Sequence, residues 1–247
     1  MCDVKDVREI YDSRVLRALE EDPEVDALLK GANDLTMGRL MFNDHGKTHA
    51  RIVAYFAVRA YEILRKRGIR ANLEFEDGAT EEEVKDTLVA AAYLHDIGNA
   101  VNRRDHELLS LILAAPILDR VFSGSRLAVK QKAVAMEAIL CHMGRYPATS
   151  LEAQIVALSD GLDMERGRAR IPYRMGAKSI HTYSALSISR VELQEGRERP
   201  LLVLVHMENP SGIFQIEEVL GPKIENTRLS EMLRIKAKIG EEEVVIH

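Results

Sequence analysis

The sequence predicts a mainly α protein, a multi-helix domain over residues 1–178 followed by a small α+β module over residues 179–247. Three observations carry that prediction. Apolar residues recur at three- and four-residue spacing up to about residue 165, Gly and Pro fall between these periodic stretches, and β-branched runs replace the helical period after about residue 180.

In order along the chain, Val7, Tyr11, Val15 and Ala18 mark one helix from Val4 to Glu20, and Pro23 restarts a short one near Glu24 to Lys30. Ile52, Val53, Phe56, Ala60, Ile63 and Leu64 give one face to a longer helix from Gly46 to Arg67, closed by basic residues and Gly68. NLEFEDGAT reads as a polar loop ending at Thr80, which has N-cap chemistry ahead of Glu81 to Glu83. The helix it starts carries Val84, Leu88, Ala91 and His95 on one face and stops at Gly98. Asp105 caps a further helix that Pro116 interrupts, and Leu127 to His142 and Ser150 to Glu165 complete the set. Beyond residue 180, TYSALSISRVEL and PLLVLVHM flank the turn-like QEGRER as a β-hairpin. GIFQIEEVL reads as a helix stopped by Gly221-Pro222, and LRIKAKI with VVIH supplies two more strands, all expected to be antiparallel. The module is expected to pack on the helical domain or to mediate a homodimer.

Composition narrows the function. With 46% hydrophobic and 30% charged residues the chain has neither low-complexity tracts nor the apolar poverty of disorder. The longest apolar run, Leu108 to Leu118, is about half the roughly 20 residues a membrane span needs. The acidic start MCDVKDVREIYD is unlike a secretory leader, and Cys2 and Cys141 alone make no disulfide framework, so a cytoplasmic setting is expected. A formal charge of −5 argues against general nucleic-acid binding, which draws on many phosphate contacts.

The anomaly is polar. His49 lies on the apolar stripe of its helix, and His95 lies one turn beyond Leu88 and Ala91 with Asp96 beside it. Asp160 follows Val156 by one turn, and His142 ends the helix carrying Ala135 and Ile139. Burying such groups without partners is costly, and imidazoles and carboxylates together suit Fe, Mn, Ni, Co or Zn. The alternative is a set of buried polar residues satisfied only by hydrogen bonds.

These residues resemble the HD-domain superfamily of metal-dependent phosphohydrolases: His49 in HGKTHARIVAYF, the His95-Asp96 pair in LHDIG, and Asp160 in ALSDGLDMERGR. The resemblance covers about residues 43 to 170 and implies an HD-type helix bundle. It implies that His49, His95, Asp96 and Asp160 hold one metal ion, and that Asp96 bridges to a second held by His106 and His142. One or two divalent ions are implied, Fe or Mn first, then Ni, Co, Zn or Mg. Members with a lysine after HDIG have Asn99 at that position here, so that lysine's role does not transfer.

The implied reaction is hydrolysis of a small anionic phosphorylated substrate, with Asp96, Lys47 and Arg145 as catalytic groups. His45, Lys47, Arg145, Arg166, Arg168 and Arg170 are the candidate substrate-binding residues. A di-iron oxygenase, which shares the ligand pattern, is one alternative, and a non-catalytic sensor, whose pocket binds a nucleotide and whose β module reports, is another. For His106 and His142 the alternative is a surface or helix-terminal position, and for the Arg166 to Lys178 cluster a solvated face. Asp163 either orients a ligand or faces water, His181, His206 and His247 fit strand packing, and Cys141 reads as a small buried hydrophobe.

Overall fold

The protein is described by a computed structural model covering residues 5–225 and 227–247. Cys2 and the first residue of the expected N-terminal helix, Val4, lie outside the described residues. The remainder of that helix is broken: a 3-10 turn at Val7–Glu9 gives way at Ile10, and Ser13 caps a separate helix, α1, Arg14–Glu21. The local capping oxygens of Asp6 and Ser13 each accept a backbone N–H, starting two short elements where periodicity alone suggested one. Pro23 opens α2, Pro23–Asn33, where its missing N–H costs nothing.

α3, Lys47–Lys66, is the long helix expected from its apolar stripe. The NLEFEDGAT segment is a correction, since Asn72–Asp77 forms α4, with Glu152 accepting the backbone N–H groups of Asn72 and Leu73 at 3.1 and 2.8 Å. That distant carboxylate satisfies a helix start which the local sequence leaves bare. Thr80 and Glu83 form a reciprocal capping box at the start of α5, Glu81–Leu94. α6, His106–Val121, runs through Pro116 rather than breaking there, and α7, Ala128–Cys141, and α8, Leu151–Leu162, follow. Every residue of α8 is buried, which makes it the centre of the helical layer, with α3 and α7 packed beside it.

Two short helices, α9 (Arg170–Arg174) and α10 (Ile180–Ser187), precede the sheet. α10 takes residues expected in a strand: Ser179 caps it and the Ser184 hydroxyl donates to the Ile180 carbonyl, so β1 begins only at Ile188. The sheet has the order β1 (Ile188–Glu195), β2 (Leu201–Met207), β3 (Leu233–Ile239), β4 (Glu242–Val245). β1–β2 and β3–β4 are antiparallel, but β2 and β3 are parallel, with Leu201 opposite Leu233 and Met207 opposite Ile239. A parallel pair needs a crossover, and residues 208–232 supply it.

That crossover holds a π-helical stretch, Gln215–Leu220, then α11, Gly221–Ile224, and α12, Arg228–Glu231. Gly221-Pro222, expected to stop the helix, instead starts α11, because proline fits the first turn. The crossover lies on α8 and the sheet on α3, and one continuous apolar core includes Leu158, Leu162, Val203, Val205, Leu220 and Ile235. Among the described residues, no helix is long and apolar enough to cross a membrane.

Candidate metal centre

The cluster is assembled from helix ends. His95 and His142 are the residues that follow α5 and α7, and each Nδ1 donates to the carbonyl three residues back, Ala92 at 2.8 Å and Ile139 at 2.6 Å. Carbonyls in a helix's last turn lack intrahelical partners, so these imidazoles satisfy them while turning Nε2 inward. His106, first in α6, does the same with Arg103 O at 3.1 Å, and His49 in α3 gives its Nδ1 proton to Asp163 Oδ2 at 2.6 Å.

Four Nε2 atoms therefore face inward with their Nδ1 protons committed elsewhere. His49 and His95 bring theirs within 3.2 Å of one another, and His106 and His142 do likewise at 3.2 Å. Asp96 lies between the pairs: Oδ2 is 3.4 Å from both His49 and His95, while Oδ1 is 3.1 Å from His106 and 3.7 Å from His142. Asp160 Oδ1 closes the first group at 3.2 Å from His49 and 3.7 Å from His95. Arg168 Nη2 and Arg103 Nη1 each approach one of these nitrogens, His49 Nε2 and His106 Nε2, at 3.3 Å from the edge of the site, but lone pairs and carboxylate oxygens still face one another within it, so the donor set fits a divalent metal.

The electrostatics agree. Burial and Arg168 act to lower the His49 pKa, yet Asp160, Asp163 and Asp96 raise it to about 10, so in metal-free protein a proton on His49 balances these acids, the place a metal ion would take. Burial alone would raise Asp96 and Asp160, but His95 and His45 around the former, and Lys223 and His49 beside the latter, hold both well below the ordinary carboxylate range. Burial pushes His142 well below 6.5, reinforced by His95 and Lys223, leaving a neutral imidazole of the kind a metal takes.

Gly98 in LHDIG lets α6 come this close. A Cβ there would fall 2.2 Å from His106 O and 2.5 Å from Ser110 N, both backbone atoms that no rotamer change relieves. Asn99 donates to Asp96 Oδ1 at 3.0 Å and so fixes the carboxylate's rotation.

A cavity of about 320 Å³ opens over the cluster, a size suited to a small ligand. His45, Asp96, His106 and Asp160 lie at its base, Arg103, Arg168 and Lys223 supply cations, and Met41, Phe42, Met143 and Met164 supply apolar wall. His45 donates to Asp96 Oδ2 at 2.5 Å, and burial lowers its pKa to about 3, so the ring is neutral at ordinary pH.

Other sequence candidates lie elsewhere. Lys47 is two residues, hence about 200° around the helix, from His49, and its ammonium binds Glu20 O at 3.2 Å and Asp26 at 3.1 Å. Arg145 is half-exposed and clamps Asp105 and Glu107 at 2.8 and 2.7 Å, on either side of His106, outside the cavity. Both expectations of substrate contact are corrected on that ground. Arg168 lines the cavity, whereas Arg166, bound to Glu208 at 2.5 Å, and Arg170 line a neighbouring hollow on the far side of Arg168. Asp163 orients His49. His181 is in α10 rather than a strand, stacked edge-on to Phe214 at the cavity wall. Lys223, Arg103 and Gln215 were not singled out by sequence: none falls on an apolar stripe or beside the His and Asp motifs in a way that marks it.

Comparison with known proteins adds to this geometry. Residues 46–165 match the family described as HD domain. Over 240 residues the chain is 38% identical to Uncharacterized protein MJ1020 of Methanocaldococcus jannaschii, an alignment covering 96% of this chain and 90% of that protein. No solved structure matches.

Proposed function

This chain belongs to the HD-domain superfamily of metal-dependent hydrolases, and from that premise we propose that it is a phosphohydrolase or phosphodiesterase acting on a small phosphorylated compound. The observation that carries the reading is the convergence of four inward Nε2 atoms with Asp96 and Asp160 beneath a cavity walled by Arg103, Arg168 and Lys223. His49, His95, Asp96 Oδ2 and Asp160 would hold one ion, and His106, His142 and Asp96 Oδ1 the other. Fe and Mn are the ions expected first, with Ni, Co, Zn and Mg as further candidates for this mixed imidazole and carboxylate set. When bound, the ions lower the pKa of a water and offset phosphoryl charge.

The chain's own groups do the rest. Arg103 and Arg168 attract and orient the phosphate, since guanidinium N–H groups match its oxygens. Arg103 Nη1 is 3.2 Å from Asn99 Oδ1, and Arg168 donates to the carbonyls of Asp44 and Asp163 at 2.9 Å, so both forks are held in place. His45 keeps Asp96 in register through its Nδ1 hydrogen bond and itself lines the cavity. In the net reaction water's oxygen bonds to phosphorus, the P–O bond to the leaving alcohol breaks, and the alcohol oxygen takes a proton.

The test is anaerobic metal analysis followed by a phosphate-release screen with Fe, Mn, Ni, Co and Mg under nitrogen. Release of phosphate or a phosphomonoester without dioxygen supports the reading. Turnover that requires dioxygen and yields no phosphorus product would place the protein among the oxygenases, and tight nucleotide binding without turnover would make it a sensor.

A further inference from the structure

Lys223 comes from α11, in the crossover between β2 and β3, well outside the matched residues 46–165. It is 7% exposed, and its ammonium binds Asp160 Oδ2 at 2.5 Å and the His142 carbonyl at 3.0 Å. One lysine thus touches a residue of each metal group. Its aim is enforced by packing, because α8 carries Gly161 where the crossover passes: a Cβ there would lie 2.5 Å from Leu220 Cδ1 and 3.4 Å from Lys223 Cδ.

Burying an ammonium is expensive, and placing it on Asp160 reduces the negative charge available to a metal ion. Orienting the Asp160 carboxylate needs only a neutral donor, as Asn99 is for Asp96, so the positive charge itself is what metal binding leaves unexplained. An ammonium has three N–H donors, two of which go to oxygen, while the third finds only Met143 Sδ at 3.6 Å, a weak acceptor. Lys223 and Met143 both line the cavity over the cluster.

We propose that Lys223 is a substrate-contacting residue, donating a hydrogen bond to a non-bridging oxygen of the phosphoryl group at the metal centre. This rests on the phosphohydrolase reading above. An incoming phosphate carries the negative charge that this cation was placed to meet, and it displaces only a thioether from the third donor. The crossover is on this account part of the active site.

The experiment measures inorganic phosphate binding by calorimetry to full-length, manganese-loaded protein, with metal content determined on each sample. Lys223→Met and Lys223→Gln should keep the metal content of the wild-type protein and bind phosphate about tenfold or more weakly, and Lys223→Arg should recover part of that loss. If the Met variant does not fold, the Gln variant, which retains a donor and most of the length, decides the question. Phosphate affinity equal to wild type in a metal-loaded Met or Gln variant would overturn the proposal and leave the hydrolase reading intact. So would loss of metal from these variants, because Lys223 would then serve Asp160 alone. A wild-type protein that takes up no metal would instead overturn the hydrolase reading, and this inference with it.

Discussion

At the scale of residues, the centre depends on which imidazole nitrogen carries the proton. Three histidines take a backbone carbonyl at Nδ1 and His49 takes Asp163, so loss of Asp163 frees the His49 ring to rotate. Asp163→Ala should weaken metal binding about 10- to 100-fold by competition with a chelator, while Asp163→Asn retains more. His49 also sets a pH dependence. Its folded pKa, about 10, exceeds the unfolded value near 6.5, so in metal-free protein it contributes stability that is full below pH 6.5 and lost as pH rises through 10. Melting temperatures across that range should fall for metal-free protein and stay flatter for metal-loaded protein, in which the ion replaces the proton. Cys141 gives a simpler test: burial pushes its thiol up to about 11, so native protein at pH 8 should leave it unalkylated in peptide maps. His49, His95, Asp96 and Asp160 were legible in the sequence because polar residues interrupt apolar stripes there. Lys47 and Arg145 misled because nearness in sequence to a ligand says little about direction in space.

At the scale of elements, the close contact of Gly98 with α6 has a measurable cost when filled. Gly98→Ala must push back the first turn of α6, carrying His106 away from Asp96, and should destabilise the protein by about 2 kcal/mol in urea titration. The same variant should lose metal from the His106 and His142 group first; equal stability and full metal content would contradict the packing argument. Long helices were legible where an apolar stripe persisted, as in α3 and α8. Elements whose ends are satisfied from a distance were not. α4 starts on the carboxylate of Glu152, and β3 lies parallel to β2 because a crossover packs on α8. Neither partner is visible within a local window of sequence.

At the scale of the whole molecule, the C-terminal segment is bound into both core and site. Ile216, Leu220, Ile224 and Leu229 are buried, the sheet rests on α3, and Lys223 reaches Asp160. Removing residues 180–247 would expose these apolar faces of α3 and α8, so the truncated chain should lose its cooperative thermal transition and its metal together. A truncated chain that melts cooperatively and keeps its metal would show that the helical layer stands alone. The sequence marked the change in pattern near residue 180 but held no sign that the later segment returns to the metal cluster, because that return is a contact of tertiary structure. The most direct measurement of the central claim is metal content per chain after anaerobic loading and desalting, for wild type, His142→Ala and Asp96→Ala. Two groups sharing Asp96 predict roughly two ions, roughly one, and essentially none. Unchanged metal content in Asp96→Ala would contradict the account.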